Sequence, residues 1–276
     1  MKNKKLLVMS LVFLMIFALF AGCGEKAATS GGSLSAKEII AKSSEAMKDI
    51  DNYKAKMAMD TEMGVEGQSM TMKMDGTIDT FMKPMKMKMV MNIEIPMMGN
   101  MNMDTYVVQE GDNLVTYTKN AMGTWQKSTL PFSEELLEQY SQTQYAEKFN
   151  DSLKKAKIVA EEAVEGFNCW KIDVTIDGAS LMDIMESMQG GQDLTGVFPT
   201  EDLKKLGNMT ASLWIAKDSF YQVKVDMDMT SAMKSMMKDM GVDLKKMVIS
   251  MITYDFGKAT DFTLPNEAKN APEIAM

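Results

Sequence analysis

The strongest pattern in the chain is an alternation of apolar residues with charged or polar ones. In residues 85–95 every odd position holds Met or Ile, whereas Lys, Asn or Glu fills most even positions. Successive side chains of a strand point to opposite faces, so this pattern predicts a strand with one buried and one solvated face. By the same reasoning, strands are predicted at 53–63, 70–79, 85–95, 101–109, 112–118, 122–128, 155–163, 167–176, 208–216, 219–229 and 246–257.

A second pattern, apolar residues at helical spacing, interrupts the strands. Ser35 and Glu38 form a capping box that predicts a helix running to about Ile50. Further helices are predicted at 133–149, 179–189 and 230–240. The last of these carries a methionine stripe at positions i, i+3, i+4 and i+7, formed by Met233, Met236, Met237 and Met240.

Together these elements predict an α+β domain. Strands with one apolar face are typical of antiparallel sheets, and the helices do not alternate strictly with the strands. We therefore expect a single highly curved antiparallel sheet of about ten or eleven strands, with helices against one face. No Pro/Gly-rich linker divides residues 35–276, which are predicted to form one domain.

The N-terminal segment has a different pattern. A short basic region precedes an almost entirely apolar run at residues 6–21, about the length of a signal-peptide core and short for a bilayer span. The run ends in Leu19-Phe20-Ala21-Gly22-Cys23, which resembles the lipobox of bacterial lipoproteins. The resemblance implies that residues 1–22 are a signal peptide, cleaved before Cys23, and that Cys23 carries a diacylglyceryl group. The alternative is an uncleaved anchor helix.

Residues 23–34 are then predicted to be a flexible tether, because they are small, polar and Gly-rich. Two or three acyl chains on Cys23 would hold the protein stably on a membrane, since each buried methylene contributes about 0.8 kcal/mol. We therefore expect an extracytoplasmic protein anchored by lipid to the cell membrane.

The composition argues against several classes of function. The net charge of −8 argues against nucleic acid as a partner. The sequence contains no His, the commonest general base, and every basic residue is Lys. Cys169 therefore has no His to activate it, and we interpret it as a packing thiol. The sequence predicts neither an enzyme nor a cofactor.

Four stretches of the chain carry a family resemblance. They are EAMKDIDNYKAKM (45–57), GTWQK (123–127), SLWIAKDSFYQVKVDM (212–227) and TDFTLPNEAK (260–269). In this layout the chain resembles the LolA/LppX-type lipoproteins, and most of all the uncharacterised Gram-positive lipoproteins of that fold. The resemblance implies an unclosed half-barrel whose concave face is covered by helices and encloses a hydrophobic cavity for lipid or lipid-modified cargo. It also implies a location at the surface of a Gram-positive cell.

The 33 methionines are the outlier of the composition. Because Met is unbranched and polarizable, it suits a cavity that accommodates varied apolar shapes. A cavity that holds acyl chains is therefore predicted, roofed by the helix at 230–240, with the helices at 179–189 and 230–240 as a movable lid. Its predicted lining is Met59, Met72, Met74, Met87, Met89, Met91, Met227, Met229, Met233, Met236, Met237 and Met240.

Three other interpretations of the methionines remain open. Met can simply replace Leu and Val as core filler. Thioethers also select Cu(I), and a Cu(I)- or Ag(I)-binding lipoprotein would use Met97, Met98, Met101 and Met103, which cluster around a Gly99-Asn100 turn. A third alternative is an envelope sensor or scaffold with a filled core and a protein partner.

Overall fold

The computed structural model describes residues 34–65, 68–95, 99–120, 122–132, 155–180, 206–239 and 241–274. The predicted signal peptide, Cys23, the helix at 133–149 and all but the start of the helix at 179–189 lie outside these ranges, as do Met97, Met98 and Met240.

A single eleven-stranded antiparallel sheet forms the body of the protein. Its strands are β1 (Asn52–Val65), β2 (Gln68–Met82), β3 (Met85–Ile95), β4 (Gly99–Glu110), β5 (Asn113–Lys119), β6 (Trp125–Pro131), β7 (Lys157–Val164), β8 (Phe167–Ile176), β9 (Met209–Ala216), β10 (Gln222–Asp228) and β11 (Val242–Tyr254). Their order across the sheet is β6-β5-β4-β3-β2-β1-β11-β10-β9-β8-β7. The sheet is not closed, since β6 and β7 stand at its two edges, as the sequence predicted.

The strand register separates two faces. In β1 the buried side chains are those of alternate residues such as Ala55, Met57 and Met59. Their partners Ile78, Gly76 and Met74 in β2 stand on the same face. We call this the inner face and its opposite the outer face. The inner face of the central strands holds the main hydrophobic core.

Two helices pack on the inner face. Helix α1 (Ala36–Lys48) begins with the predicted capping box: the Glu38 amide donates to Ser35 Oγ, and the Ser35 amide donates to Glu38 Oε2 at 2.8 Å. Its buried residues Ile39 and Ile40 enter the main core. Helix α2 (Thr230–Asp239) lies against β11 and confirms the predicted helix at 230–240 as far as the structure describes it. A short α3 (Asn266–Lys269) belongs to the C-terminal segment.

Several strand predictions were wrong at their ends, two of them because of local turn chemistry. The strand predicted at 122–128 is β6 and begins at Trp125, since the Asn120 side chain accepts hydrogen bonds from the amides of Met122 and Thr124 and prolongs the turn. The strand predicted at 246–257 is β11. It ends at Tyr254, because a turn with positive φ at Asp255 and Gly257 follows.

The C-terminal segment crosses the outer face of β4–β6. There Ala268 and Ala271 are buried against Tyr106, Val115 and Tyr117. The segment also covers the free edge of β6, since the Lys127 amide donates to the Pro272 carbonyl (3.0 Å) and the Ile274 amide donates to the Lys127 carbonyl (2.8 Å). The chain itself therefore satisfies this part of the edge, which would otherwise present unpaired backbone groups.

Candidate functional site

The inner face brings the predicted methionines together. The fully buried ones form one cluster, and three others pack against its margin. The buried members are Met59, Met74, Met89, Met91, Met227, Met229, Met233 and Met236, and the marginal members are Met72, Met87 and Met237. The residues come from β1, β2, β3, β10 and α2, with Met229 between the last two, so strand pairing and not sequence proximity assembles the cluster.

Cross-strand register explains the contact between these side chains. Met59 stands opposite Met74 in β2 and opposite Ile249 in β11, while Met91 stands opposite Met103 in β4. Residues directly opposite in an antiparallel pair have Cβ atoms about 4.5–5.5 Å apart, so long thioethers at these positions must interdigitate. The result is one apolar surface that spans the middle of the sheet.

Helix α2 is held over this surface by its first turn. The Met247 amide of β11 donates to Thr230 Oγ1 and the Met229 amide donates to the Met247 carbonyl, each at 2.9 Å. Asp228 Oδ1 also accepts from the Thr230 amide at 2.9 Å. Because these bonds fix the start of the helix, Met233 and Met236 point into the cluster.

The segment at 206–207 is wedged against the starts of two helices. A Cβ on Gly178 would lie 1.9 Å from the Leu206 carbonyl oxygen, and one on Gly207 would lie 2.2 Å from the Ser231 carbonyl oxygen. Such distances leave room for glycine alone. The backbone of residues 206–207 therefore contacts Gly178, at the start of the helix predicted at 179–189, on one side and the start of α2 on the other.

Several inner-face residues were missed by the sequence analysis. Met57, Met209 and Met251 are buried in the same cluster. Met57 lies in the same alternation phase as Met59, so the phase of β1 could have found it. Met251 could be placed only through the pairing of β1 with β11, which has no local signal.

Buried polar groups also lie on the inner face, and Thr61 is one of them. Thr61 lies on the inner face of β1, between Met72 of β2 and Met247 of β11, and is 2 % exposed. Its hydroxyl has no hydrogen-bond partner among the described residues. A buried hydroxyl without a partner is costly, and it is available to a polar atom of a ligand.

Only two of the four methionines of the metal alternative lie within the described residues. Met97 and Met98 lie outside the described residues, whereas Met101 and Met103 occupy the inner face of β4 and pack against the main core. Within the ranges that the structure describes, no group of three or more His, Cys, Asp or Glu side chains is arranged to hold a metal ion.

Cys169 lies on the outer face of β8, in a separate cluster with Trp214, Ala216 and Val223. It is fully buried, and burial raises the pKa of its thiol to about 11. A thiol of this kind is protonated near neutral pH and is a poor nucleophile, in agreement with its interpretation as a packing residue.

The described part of the chain contains no helix of the length and apolarity needed to cross a membrane. The predicted lipidation site at Cys23 and the signal peptide before it lie outside that part.

Comparison with solved structures finds proteins of similar fold. The Mycobacterium tuberculosis lipoprotein LppX is 18% identical with a TM-score of 0.46, over 83% of this chain and 98% of that one. LprF from Mycobacterium bovis is 16% identical with a TM-score of 0.44, over 86% and 100% of the two chains.

Comparison with curated proteins finds no match. A family model, by contrast, matches residues 35–273, which include every described strand and helix. The chain therefore belongs to the family of unknown function DUF6612.

Proposed function

We propose that this protein is a membrane-anchored extracytoplasmic lipoprotein that binds a hydrophobic ligand, a lipid or an acyl chain, on its Met-lined inner face and catalyses no reaction. The observation that carries the proposal is the inner face itself. Its apolar side chains extend from β3 to β10 beneath α2, and the buried Thr61 hydroxyl among them has no hydrogen-bond partner in the described residues.

Methionine suits this role better than the branched aliphatic residues. Its unbranched side chain fills irregular spaces and adjusts to different apolar shapes. A ligand with flexible acyl chains needs a wall that can change shape without losing contact. The unpartnered Thr61 hydroxyl adds one hydrogen bond for an ester or hydroxyl group at the polar end of the ligand.

The predicted tether gives the binding surface its location. Acyl chains on Cys23 would hold the domain within reach of the outer surface of the cell membrane, and residues 24–34 would allow it to turn. We therefore place the protein at the Gram-positive cell surface, where hydrophobic cargo can pass between the membrane and the domain.

The test compares the native and denatured masses of the chain from Gly24 onward, purified from a bacterial host without the lipidated cysteine. We expect the native mass to exceed the denatured mass by one lipid, identifiable after solvent extraction. A double variant, Met72→Asp with Met87→Asp, places two charges at the partly buried margin of the inner face and should lose the lipid.

Met122→Asp is the matched control, because Met122 is 86% exposed in a turn and the same substitution there should retain the lipid. Circular dichroism must show that all variants fold. Equal native and denatured masses, with no uptake of added oleate, would refute the proposal and favour the scaffold alternative. Retained Cu(I) or Ag(I) in place of lipid would favour the methionine–metal alternative.

A further inference from the structure

The outer face carries a cavity that is separate from the methionine cluster. It has a volume of about 460 Å³ and lies between β3–β6 and the C-terminal segment. The sheet contributes its floor, with Val108 and Tyr117, and the C-terminal segment contributes a wall, with Phe262 and Leu264. Because inner- and outer-face residues alternate along each strand, none of the cavity residues belongs to the proposed lipid-binding surface.

Positive charge dominates the lining. Lys86, Lys127 and Lys269 face one carboxylate, that of Glu110. This carboxylate accepts a hydrogen bond from the Tyr117 hydroxyl at 2.8 Å. In a chain whose net charge is −8, such a local excess of lysine is unusual and makes the cavity attractive to an anion.

The lysine ammonium groups are available to a ligand. Lys86 pairs with Asp261, and Lys127 Nζ lies 3.7 Å from Glu273 Oε2, but both acidic side chains are more than half exposed. Exposed ion pairs contribute little and exchange readily with another anion. Lys269 makes no ion pair with any residue that the structure describes, so its charge is not neutralised there.

Contacts within the protein hold the wall of the cavity in position. The Phe262 ring packs edge-on against Phe81 and Tyr106, with ring centroids 5.8 and 5.7 Å apart. Further along the segment, Ala268 is fully buried, and residues 272–274 pair with β6. A preformed wall lowers the entropic cost of binding.

We propose that this cavity binds a small organic anion, a carboxylate or phosphate with an apolar body. The three lysines would hold the anionic group, and Phe262 and Leu264 would contact the apolar body. Lys binds phosphate or carboxylate as a point charge and lacks the bidentate geometry of Arg, so the site needs several lysines for one anion.

The test is calorimetric titration of the full chain in dodecyl maltoside micelles with phenyl phosphate. We expect saturable binding that is stronger than that of benzyl alcohol, which lacks the charge, and of inorganic phosphate, which lacks the apolar body. Lys269→Gln should weaken phenyl phosphate binding about tenfold, as expected for loss of a charged hydrogen bond. Lys73→Gln removes the same charge from the outer face of β2, away from the cavity, and should change nothing.

A second variant distinguishes a loss of binding from a loss of the fold. Glu110→Gln keeps an oxygen that can accept the Tyr117 hydrogen bond but removes the one negative charge of the lining, so it should tighten phenyl phosphate binding severalfold. A damaged fold could not produce that gain. The proposal is overturned if benzyl alcohol or inorganic phosphate binds as well as phenyl phosphate, or if Lys269→Gln and Glu110→Gln both leave its affinity unchanged.

Discussion

At the scale of single residues, burial raises the pKa values of two tyrosine hydroxyls. Tyr53 begins β1 beneath α1 and is buried with Met47 and Ile50. Burial raises the pKa of its hydroxyl to about 12. Tyr117 on the outer face has a pKa raised to the same value, first by burial and then by its hydrogen bond to Glu110. Both side chains are therefore hydrogen-bond donors over the whole physiological range.

This burial predicts a loss of stability at alkaline pH. An unfolded Tyr titrates near pH 10, whereas Tyr53 keeps its proton in the folded state to about pH 12. Between these values the folded state binds more protons, so the free energy of unfolding falls as pH rises, by roughly 2–3 kcal/mol at the upper end. Tyr53→Phe should reduce the fall measured by urea denaturation at pH 9–12. Identical slopes for both proteins would contradict the assignment, since Tyr117 titrates in each of them.

At the scale of elements, close backbone approach decides where the sheet tolerates a side chain. Gly76 stands on the inner face of β2 between Met57 of β1 and Met91 of β3. A Cβ there would lie 2.2 Å from the Val90 carbonyl oxygen and 2.5 Å from Met91 Sδ. The Met91 side chain thus occupies the space above Gly76. Glycine inside a strand often marks such a close approach by a neighbouring group.

Gly76→Ala is therefore expected to lower the free energy of unfolding by about 1–3 kcal/mol, the usual cost of overpacking a core. Chemical denaturation of the purified domain measures the difference. Gly64→Ala is the matched control in the neighbouring strand, because a Cβ at Gly64 meets its nearest atom at 3.4 Å, an ordinary contact. Equal stabilities for the two variants would mean that the strands near Gly76 can separate without cost.

Hydrophobic patterns in the sequence predicted most of these strands and helices. The physical basis of the patterns also explains which features could not be predicted. Alternating burial is a property of each strand alone, so the phase of β3 could be read from residues 85–95. The end of β11 depends on positive φ angles at Asp255 and Gly257, which hydrophobic pattern does not encode. The cavity on the outer face joins Lys86 to Lys269, and no sequence spacing indicates that proximity.

At the scale of the whole molecule, we expect a lipid on Cys23 to determine where the protein works. Cys23→Ala should release the protein from the membrane fraction into the medium, because no thioether-linked acyl chains remain to hold it. Fractionation and immunoblotting measure the distribution. Cys169→Ala is the control, since that thiol is buried and should have no part in anchoring. If the Cys23 variant stays in the membrane fraction, the uncleaved anchor helix becomes the better interpretation.

The strand order has a consequence for how the chain folds. Nine of the ten strand pairs join strands that are neighbours in sequence, whereas β1 pairs with β11 from nearly the other end of the chain. Two local meanders, β1–β6 and β7–β11, can thus form quickly, while their union must first overcome the entropy of closing a long loop. Pulsed hydrogen exchange during refolding should find β1 and β11 protected last along their shared edge; early protection there would contradict this order. Because Met57 and Met251 face each other across that edge, the methionine surface is then the last feature of the native state to be completed.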